Sequence, residues 1–315
     1  MAGAGTDTQL RGRAEEFEQL RPLLFSISYR ILGSVAEAED AVQETWLRYE
    51  TTTTRPDSLK SFLSTVVTRI SIDVLRSARV RREEYVGEWL PEPLLSDPYE
   101  DPARAAELAD SVSMAALLLL ERLSPLERAV FVLREVFGFG YAEVAEAVGR
   151  TEAACRQLSA RARKHMDEGR TRFDADRKER EELAARFFAA LREGSVESLQ
   201  ELLAADVQLV GDGGGKAPQL ARFIHGSEKV ARLIAGAFPP IFSIGTIVDV
   251  QEINGQPGAL FRDRDGKVAV ALTVDVVDGR IAAIRSVINP DKLGHLGPVA
   301  DAWAMKDEWN RTRRG

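Results

Sequence analysis

Val210 to Lys216 reads VGDGGGK, three successive glycines between a carboxylate and an amine. A loop of this kind after a strand can aim backbone N–H groups at an anion. A phosphate-binding loop, however, needs GxxxxGK followed by Ser or Thr, and here Lys216 precedes Ala217 and Pro218. The other readings are a wall of a catalytic pocket or a close approach between two parts of the chain, which glycine permits by reaching positive φ without steric cost. Acid–base catalysis needs a carboxylate or base set in an apolar pocket. In the C-terminal part of the chain Asp212, and after it Asp249 or Asp275, are the candidates, without a paired carboxylate or a His–Asp pair nearby, so turn and surface positions are expected for them. The three histidines, His165, His225 and His295, lack ligand spacing. No catalytic residue, metal or cofactor is therefore assigned.

Charge is distributed more tellingly than its total. The net charge of −7 opposes phosphate binding, which needs Lys and Arg. Yet Lys60, Arg69, Arg76, Arg79, Arg81 and Arg82 stand against Asp73 alone, and Arg150, Arg156, Arg161, Arg163 and Lys164 against Glu152. Two basic islands in an acidic chain point to nucleic acid. The longest apolar run, Met114 to Leu120, is too short to cross a bilayer, and the N-terminus lacks an apolar secretion segment. One cysteine, Cys155, precludes an internal disulfide and fits a reducing compartment. The cytoplasm is the expected location, with no membrane partner.

The elements that position these charges are punctuated clearly. A helical pattern ends at Gly33 and restarts at the capping sequence Ser34-Val35-Ala36-Glu37. The second helix places Val42, Trp46 and Tyr49 on or near one face and Glu37, Asp40 and Glu44 on the other. Such a stripe is either solvated surface or a docking face for a basic partner. A third helix, from about Ser58 to Glu84, carries the first basic island.

Gly87 to Pro102 contains Pro91, Pro93, Pro98 and Pro102, with five acidic residues and no basic one. Proline excludes a regular helix, so this is a linker. Trp89, Leu90, Leu94 and Leu95 are too apolar for a solvated tether and are expected to lie against a protein surface.

Ser124-Pro125-Leu126-Glu127 starts a helix with an N-cap, a proline at the first position and a carboxylate at the third. After Gly138-Phe139-Gly140 come YAEVAEAVG and then EAACRQLSARARKHM, capped by Thr151. Two short helices joined by a glycine-containing turn form a helix-turn-helix, whose second helix enters the DNA major groove. A helical wheel turns Ala154, Leu158 and Ala162 inward and Glu152, Arg156, Ser159 and Arg163 outward. Arg156 is the leading candidate for base readout. A helical hairpin with a solvated basic face is the competing interpretation.

The last part of the chain changes character. Helical patterns at about Lys178 to Leu203 precede a strand at Val207 to Val210 and a helix near Ser227 to Ala237. From Ile241 to Val287 the sequence is β-rich, with Asn254-Gly255, Asp265-Gly266 and Asp278-Gly279 as hairpin turns. Helices on one face of a curved antiparallel sheet make an α+β cone with an internal cavity.

The segments AEDAVQETWLRY, DVLRSARVRREEY and LSPLERAVFVLREVFGFGYAEVAEAVGRTEAACRQLSARARK resemble regions two and four of extracytoplasmic-function (ECF) sigma factors. WLPEP in the linker, DGGGK at 212–216 and NPDKL at 289–293 resemble the SigJ-type subgroup, which carries a C-terminal SnoaL-like extension. The resemblance implies region two at 1–86, a Pro-rich acidic linker at 87–112, region four at 113–170 and a SnoaL-like regulatory domain at 178–315. It implies an all-α N-terminal half, with two helical domains, joined to an α+β cone.

Roles follow from the same resemblance. Asp40, Gln43, Glu44 and Trp46 match the helix that binds core RNA polymerase. Arg69, Asp73, Arg76 and Arg79 match the helix that melts promoter DNA, where Phe62 and Tyr85 are the available aromatic stackers. Arg156, Gln157 and Arg161 match the part of region four that reads the distal promoter element. Trp89, Leu90, Pro91, Glu92 and Pro93, with Asp212, Gly213, Gly214, Gly215, Lys216, Asn289, Pro290, Asp291, Lys292 and Leu293, form the expected interdomain and regulatory set. No separate anti-sigma protein is expected, and a small-molecule ligand in the C-terminal cavity is the remaining candidate partner. A helix-turn-helix regulator with a sensing domain, needing no polymerase-binding helix, and a DNA-tethered cone enzyme are the alternatives.

Overall fold

The computed structural model describes residues 3–169, 177–218 and 223–314. They divide into two units, Met1–Glu83 with Asp97–Arg170, and Glu84–Ser96 with Thr171–Gly315.

The first unit is entirely helical. Helices α1 (Gly3–Leu32), α2 (Val35–Glu50) and α3 (Leu59–Glu83) pack pairwise. Gly33, at φ 70°, ends α1, and Ser34 Oγ accepts the Glu37 N–H at 3.1 Å to start α2. Leu24, Ile27, Ile31, Leu63 and Val67 are fully buried between these helices. Next come α4 (Ala105–Val112), α5 (Met114–Glu121) and α6 (Pro125–Phe131), the last with the reciprocal Ser124–Glu127 capping box. A π-helical turn at Val132–Val136 extends α6. Then α7 (Tyr141–Val148) and α8 (Glu152–Gly169) follow, with Gly149 at φ 65° closing α7.

Buried charge ties this unit together. The Arg30 guanidinium is inaccessible to water and donates to Ser111 Oγ at 2.7 Å, to the Leu108 carbonyl at 2.8 Å and to Asp97 Oδ2 at 2.8 Å. Burial pulls its pKa below the ordinary value although Asp97 opposes the shift. Glu121 lies between Arg128 and Arg82. Burial alone would raise the Glu121 carboxyl, but the two guanidinium charges outweigh it and hold it low.

The second unit is α+β. Its six-stranded sheet has the order β2-β1-β6-β5-β4-β3, with β1 (Leu203–Asp212), β2 (Phe223–His225), β3 (Ile247–Ile253), β4 (Gln256–Arg262), β5 (Val268–Val277) and β6 (Arg280–Val287). The β1–β6 pair is parallel and the other pairs are antiparallel. Positive φ at Asn254 and Gly255, and again at Asp278 and Gly279, makes the two-residue hairpin turns that their sequence predicts. Helices α9 (Arg177–Glu193), α10 (Val196–Leu202) and α11 (Ser227–Ser243) pack on one sheet face. Phe187, Phe188, Leu191, Ile234, Phe238, Phe261, Leu272 and Val274 fill that side. A final helix, α12 (Ala302–Arg314), follows the sheet.

Helix α11 runs past its expected end at Ala237, through Pro239 and Pro240, to Ser243. Phe238 in this extension joins the apolar cluster and Phe242 packs against it, so tertiary packing overrides the proline signal.

Candidate functional site

Within the second unit, three separated motifs converge on one carboxylate. Asp212, at the end of β1, is fully buried, which corrects the expectation of a turn or surface position. Its Oδ1 accepts the Tyr85 hydroxyl at 2.5 Å, and its Oδ2 accepts the Leu90 N–H at 2.9 Å and Lys292 Nζ at 2.7 Å. Lys292 Nζ also donates to the Leu90 carbonyl at 2.5 Å and lies 4.3 Å from the Trp89 ring centroid and 4.9 Å from that of Tyr85. A buried ammonium is thereby given a counter-ion, a carbonyl and two aromatic faces, which together offset its desolvation.

Neighbouring contacts extend the clasp. Asn289 Nδ2 donates to Tyr85 Oη at 2.8 Å. Leu94 and Asn254 exchange two bonds: the Leu94 N–H donates to Asn254 Oδ1 at 2.9 Å, and the Asn254 N–H to the Leu94 carbonyl at 2.7 Å. His295 Nε2 lies 2.6 Å from the Pro93 carbonyl. Leu90, Pro91, Glu92, Pro93 and Leu94 are all buried, as an apolar linker against a surface requires, whereas Leu95 is exposed. Leu293 is fully buried too, while Pro290 is half-buried.

The glycines supply the close approach. Gly214 sits at φ 56° and Gly215 at φ 71°. A Cβ on Gly214 would clash with the Asn289 amide and lie 2.8 Å from Tyr85 Oη. Gly213 is buried and is not among the positive-φ glycines. Lys216 pairs with Asp291, and its carbonyl accepts Trp303 Nε1 at 2.9 Å. Burial raises the Tyr85 hydroxyl well above the ordinary phenol value, and the Asp212 carboxylate reinforces the shift. Tyr85 is thus engaged by Asp212 and Asn289, and Phe62 lies 6.3 Å from the Tyr49 ring.

The remaining carboxylates are likewise paired. Asp275, on β5, is buried against Arg285, again correcting a surface expectation, and Asp249 pairs with Arg262. Among the described residues, no group of three His, Cys, Asp or Glu side chains can hold a metal ion.

In the first unit, Asp40 and Gln43 are exposed on α2, and Glu44, half-exposed, pairs with Arg48 at 2.8 Å. Trp46 is partly buried in edge contact with Phe17, ring centroids 5.2 Å apart. On α3, Arg76 pairs with Asp73 at 3.1 Å, while the Arg79 side chain lies outside the described residues. Arg69 is turned to α7: its Nη2 and Nε donate to the Glu146 and Ala147 carbonyls at 2.6 and 3.2 Å. Those carbonyls lie in the last turn of α7, at the negative end of the helix dipole, so a cation is well placed there.

On α8, Arg156, Gln157, Arg161 and Arg163 are exposed, as is Glu152, which pairs with Arg156 at 2.7 Å. Ser159 is the exception. It is fully buried and donates to Glu135 Oε1 at 2.7 Å, because the preceding π-helical turn brings a carboxylate against this face of α8.

Two family profiles match the chain, Sigma-70 region 2 over residues 17–81 and Sigma-70 region 4 over residues 113–166. The chain is 40% identical over 289 residues to the ECF RNA polymerase sigma factor SigJ of Mycobacterium tuberculosis, covering 88% of this chain and 92% of the relative. The chain belongs to the ECF RNA polymerase sigma factor family. The probable ECF sigma factor SigI of the same species is 30% identical, covering 88% of this chain and 93% of its own length. The crystal structure of M. tuberculosis SigJ superposes with a TM-score of 0.70 at 36% identity, covering 89% of this chain and 98% of that one. As an ECF sigma factor the protein is a transcription initiation factor of the alternative class, which implies core RNA polymerase and promoter DNA as partners. In this ECF sigma factor the region 2 match spans most of α1 to α3, and the region 4 match spans α5 to most of α8. Among the described residues, no helix is long and apolar enough to cross a membrane.

Tyr85, Asn254 and His295 join the clasp without belonging to any of its three sequence motifs. The Asn254-Gly255 turn was readable as a hairpin, but nothing local marks its amide as a linker ligand.

Proposed function

We propose that this sigma factor docks core polymerase through the α2 face bearing Asp40, Gln43 and Glu44, with Trp46 fixing that face on α1. Promoter melting falls to Arg69, Arg76 and Arg79 of α3. Distal-element reading falls to Arg156, Gln157, Arg161 and Arg163 of α8, with Glu152 restraining Arg156. The boundaries 1–86, 87–112, 113–170 and 178–315 describe the working parts, and the cytoplasm is the working compartment.

The C-terminal domain acts as a built-in regulator, so no separate anti-sigma protein is required. The observation that carries this reading is the Lys292–Asp212 clasp on Leu90, which holds the segment that joins regions two and four. Regulation is placed in the clasp because its contacts reach both backbone groups of the linker residue Leu90. An enzymatic role is not assigned, since Asp212, Asp249 and Asp275 are all engaged in ion pairs.

Run-off transcription with core polymerase and either the full-length chain or its Lys292→Met variant tests the proposal. Promoter-dependent transcript is expected from both, in different amounts. Equal amounts would remove the regulatory role, and no promoter dependence in either would remove the promoter-reading assignments.

A further inference from the structure

Tyr141 opens α7, and its ring is shared by two guanidinium groups. Arg134 Cζ lies 4.7 Å from the ring centroid and Arg156 Cζ lies 5.1 Å from it. Arg134 is anchored on its own side, donating to the Phe139 carbonyl at 2.9 Å. Arg156 is the exposed partner, with 56% of its side chain accessible, and Glu152 Oε2 accepts its Nη2 at 2.7 Å. The ring itself is held in place. Tyr141 Oη lies 3.4 Å from Ser159 Oγ, which donates to Glu135, and Glu143 Oε2 accepts the Gly140 N–H at 2.9 Å to fix the start of α7.

An exposed arginine samples many rotamers, and freezing it on binding opposes affinity. Bidentate recognition of a guanine needs the planar guanidinium in one orientation. Here a ring face and a carboxylate restrain the same group from two elements, α7 and the first turn of α8. We propose that Tyr141 is a positioning residue for promoter reading: its ring presents the Arg156 guanidinium to the major groove and thereby sharpens discrimination at the base pair that Arg156 reads. The inference rests on Arg156 being a base-reading residue, as proposed above.

The test uses holoenzyme assembled from core polymerase and the full-length chain. A duplex library randomised across the distal element supplies the preferred site, and single-base-pair variants of it measure discrimination. Arg156→Ala is expected to flatten discrimination at one base pair. Tyr141→Leu should reduce discrimination at that same base pair about two- to five-fold, the range of an exposed cation–π contact. Tyr141→Phe keeps the ring and should keep wild-type discrimination. In the double variant, Tyr141→Leu should add nothing at that base pair to Arg156→Ala. Tyr141→Met is carried alongside in case the leucine variant does not fold, because methionine fills irregular space well.

A uniform loss of affinity over all duplexes in both non-aromatic variants, or an additive effect in the double variant, would overturn the positioning role while leaving Arg156 as reader. If Arg156→Ala itself weakens every duplex equally, the reading of Arg156 fails and the positioning role fails with it.

Discussion

Lys292 Nζ lies 2.7 Å from Asp212 Oδ2, and the two side chains are 8% and 0% exposed. Eighty residues separate them in sequence, and between them they hold both the N–H and the carbonyl of Leu90. A salt bridge of this depth gains little from Coulomb attraction alone, because desolvating two ions is costly. What the pair does hold is both backbone groups of one linker residue, Leu90, so the linker is fixed at that point.

Removing one ion should therefore cost more than removing both. Lys292→Met leaves a buried carboxylate without its cation, which destabilises by about 3–5 kcal/mol. Asp212→Asn combined with Lys292→Met should cost less than Lys292→Met alone. Amide exchange reads the local consequence, with Leu90 accelerating more than Leu94, whose N–H is held separately by Asn254. Equal acceleration at the two amides would show that the clasp is not centred on Asp212.

Tyr85 gives an alkaline signature. Its hydroxyl titrates above the ordinary phenol value of 10.0 because it is half-buried and donates to a carboxylate. A raised folded-state pKa means that the neutral phenol is the favoured native form. Its contribution is complete at pH below the unfolded value and is lost as pH climbs through the folded one. The phenolate absorbance difference between wild type and Tyr85→Phe should show one late-titrating tyrosine. A difference spectrum centred at the free-phenol pKa would mean that the clasp is open in solution.

Local signals made much of this architecture legible. Ser34, Ser124 and Thr151 caps, the left-handed glycines 33 and 149, and the Asn254-Gly255 and Asp278-Gly279 turns act over a few residues, so sequence is sufficient to place them. The two sigma regions were likewise readable from motif order. Charge pairing across long separations was not. Asp212 pairs with Lys292 and Lys216 with Asp291, partners about 75 to 80 residues away that no local spacing marks. A helical wheel also put Ser159 outward, because it knows nothing of a π-helical turn that delivers Glu135 to that face. Helix α11 likewise runs beyond the end expected near Ala237, since the apolar cluster recruits Phe238.

The α2 face offers a test that does not involve the clasp. Asp40 is exposed and Glu44 is half-exposed on a helix whose opposite side, with Val42 and Tyr49, is buried. Charge reversal at exposed positions seldom changes stability by more than about 0.5 kcal/mol. Asp40→Arg with Glu44→Arg is thus expected to abolish binding to core polymerase while thermal unfolding stays near wild type. Unchanged affinity in a pull-down or anisotropy titration would remove α2 as the docking face.

The glycines of DGGGK should differ sharply from one another when each is replaced by alanine. Gly214 has φ 56°, a region that costs an alanine about 1–2 kcal/mol, and the added Cβ would also displace the Asn289 amide and press on the Tyr85 hydroxyl 2.8 Å away. Gly215 carries the backbone penalty at φ 71°, but the nearest atoms to its Cβ would belong to the Val86 side chain, at 3.2 Å. Gly213 is outside the left-handed region, so it carries no such backbone penalty. The expected order of damage is Gly214→Ala, then Gly215→Ala, then Gly213→Ala, read by amide exchange at Leu90 and by promoter-dependent transcription. Asn289→Ala in the Gly214→Ala background relieves part of the collision but not the backbone strain, so it should recover exchange protection only in part. Indistinguishable behaviour of the three single variants would mean that the loop contributes only its flexibility, and that its close approach to Tyr85 and Asn289 has no bearing on how the linker is held.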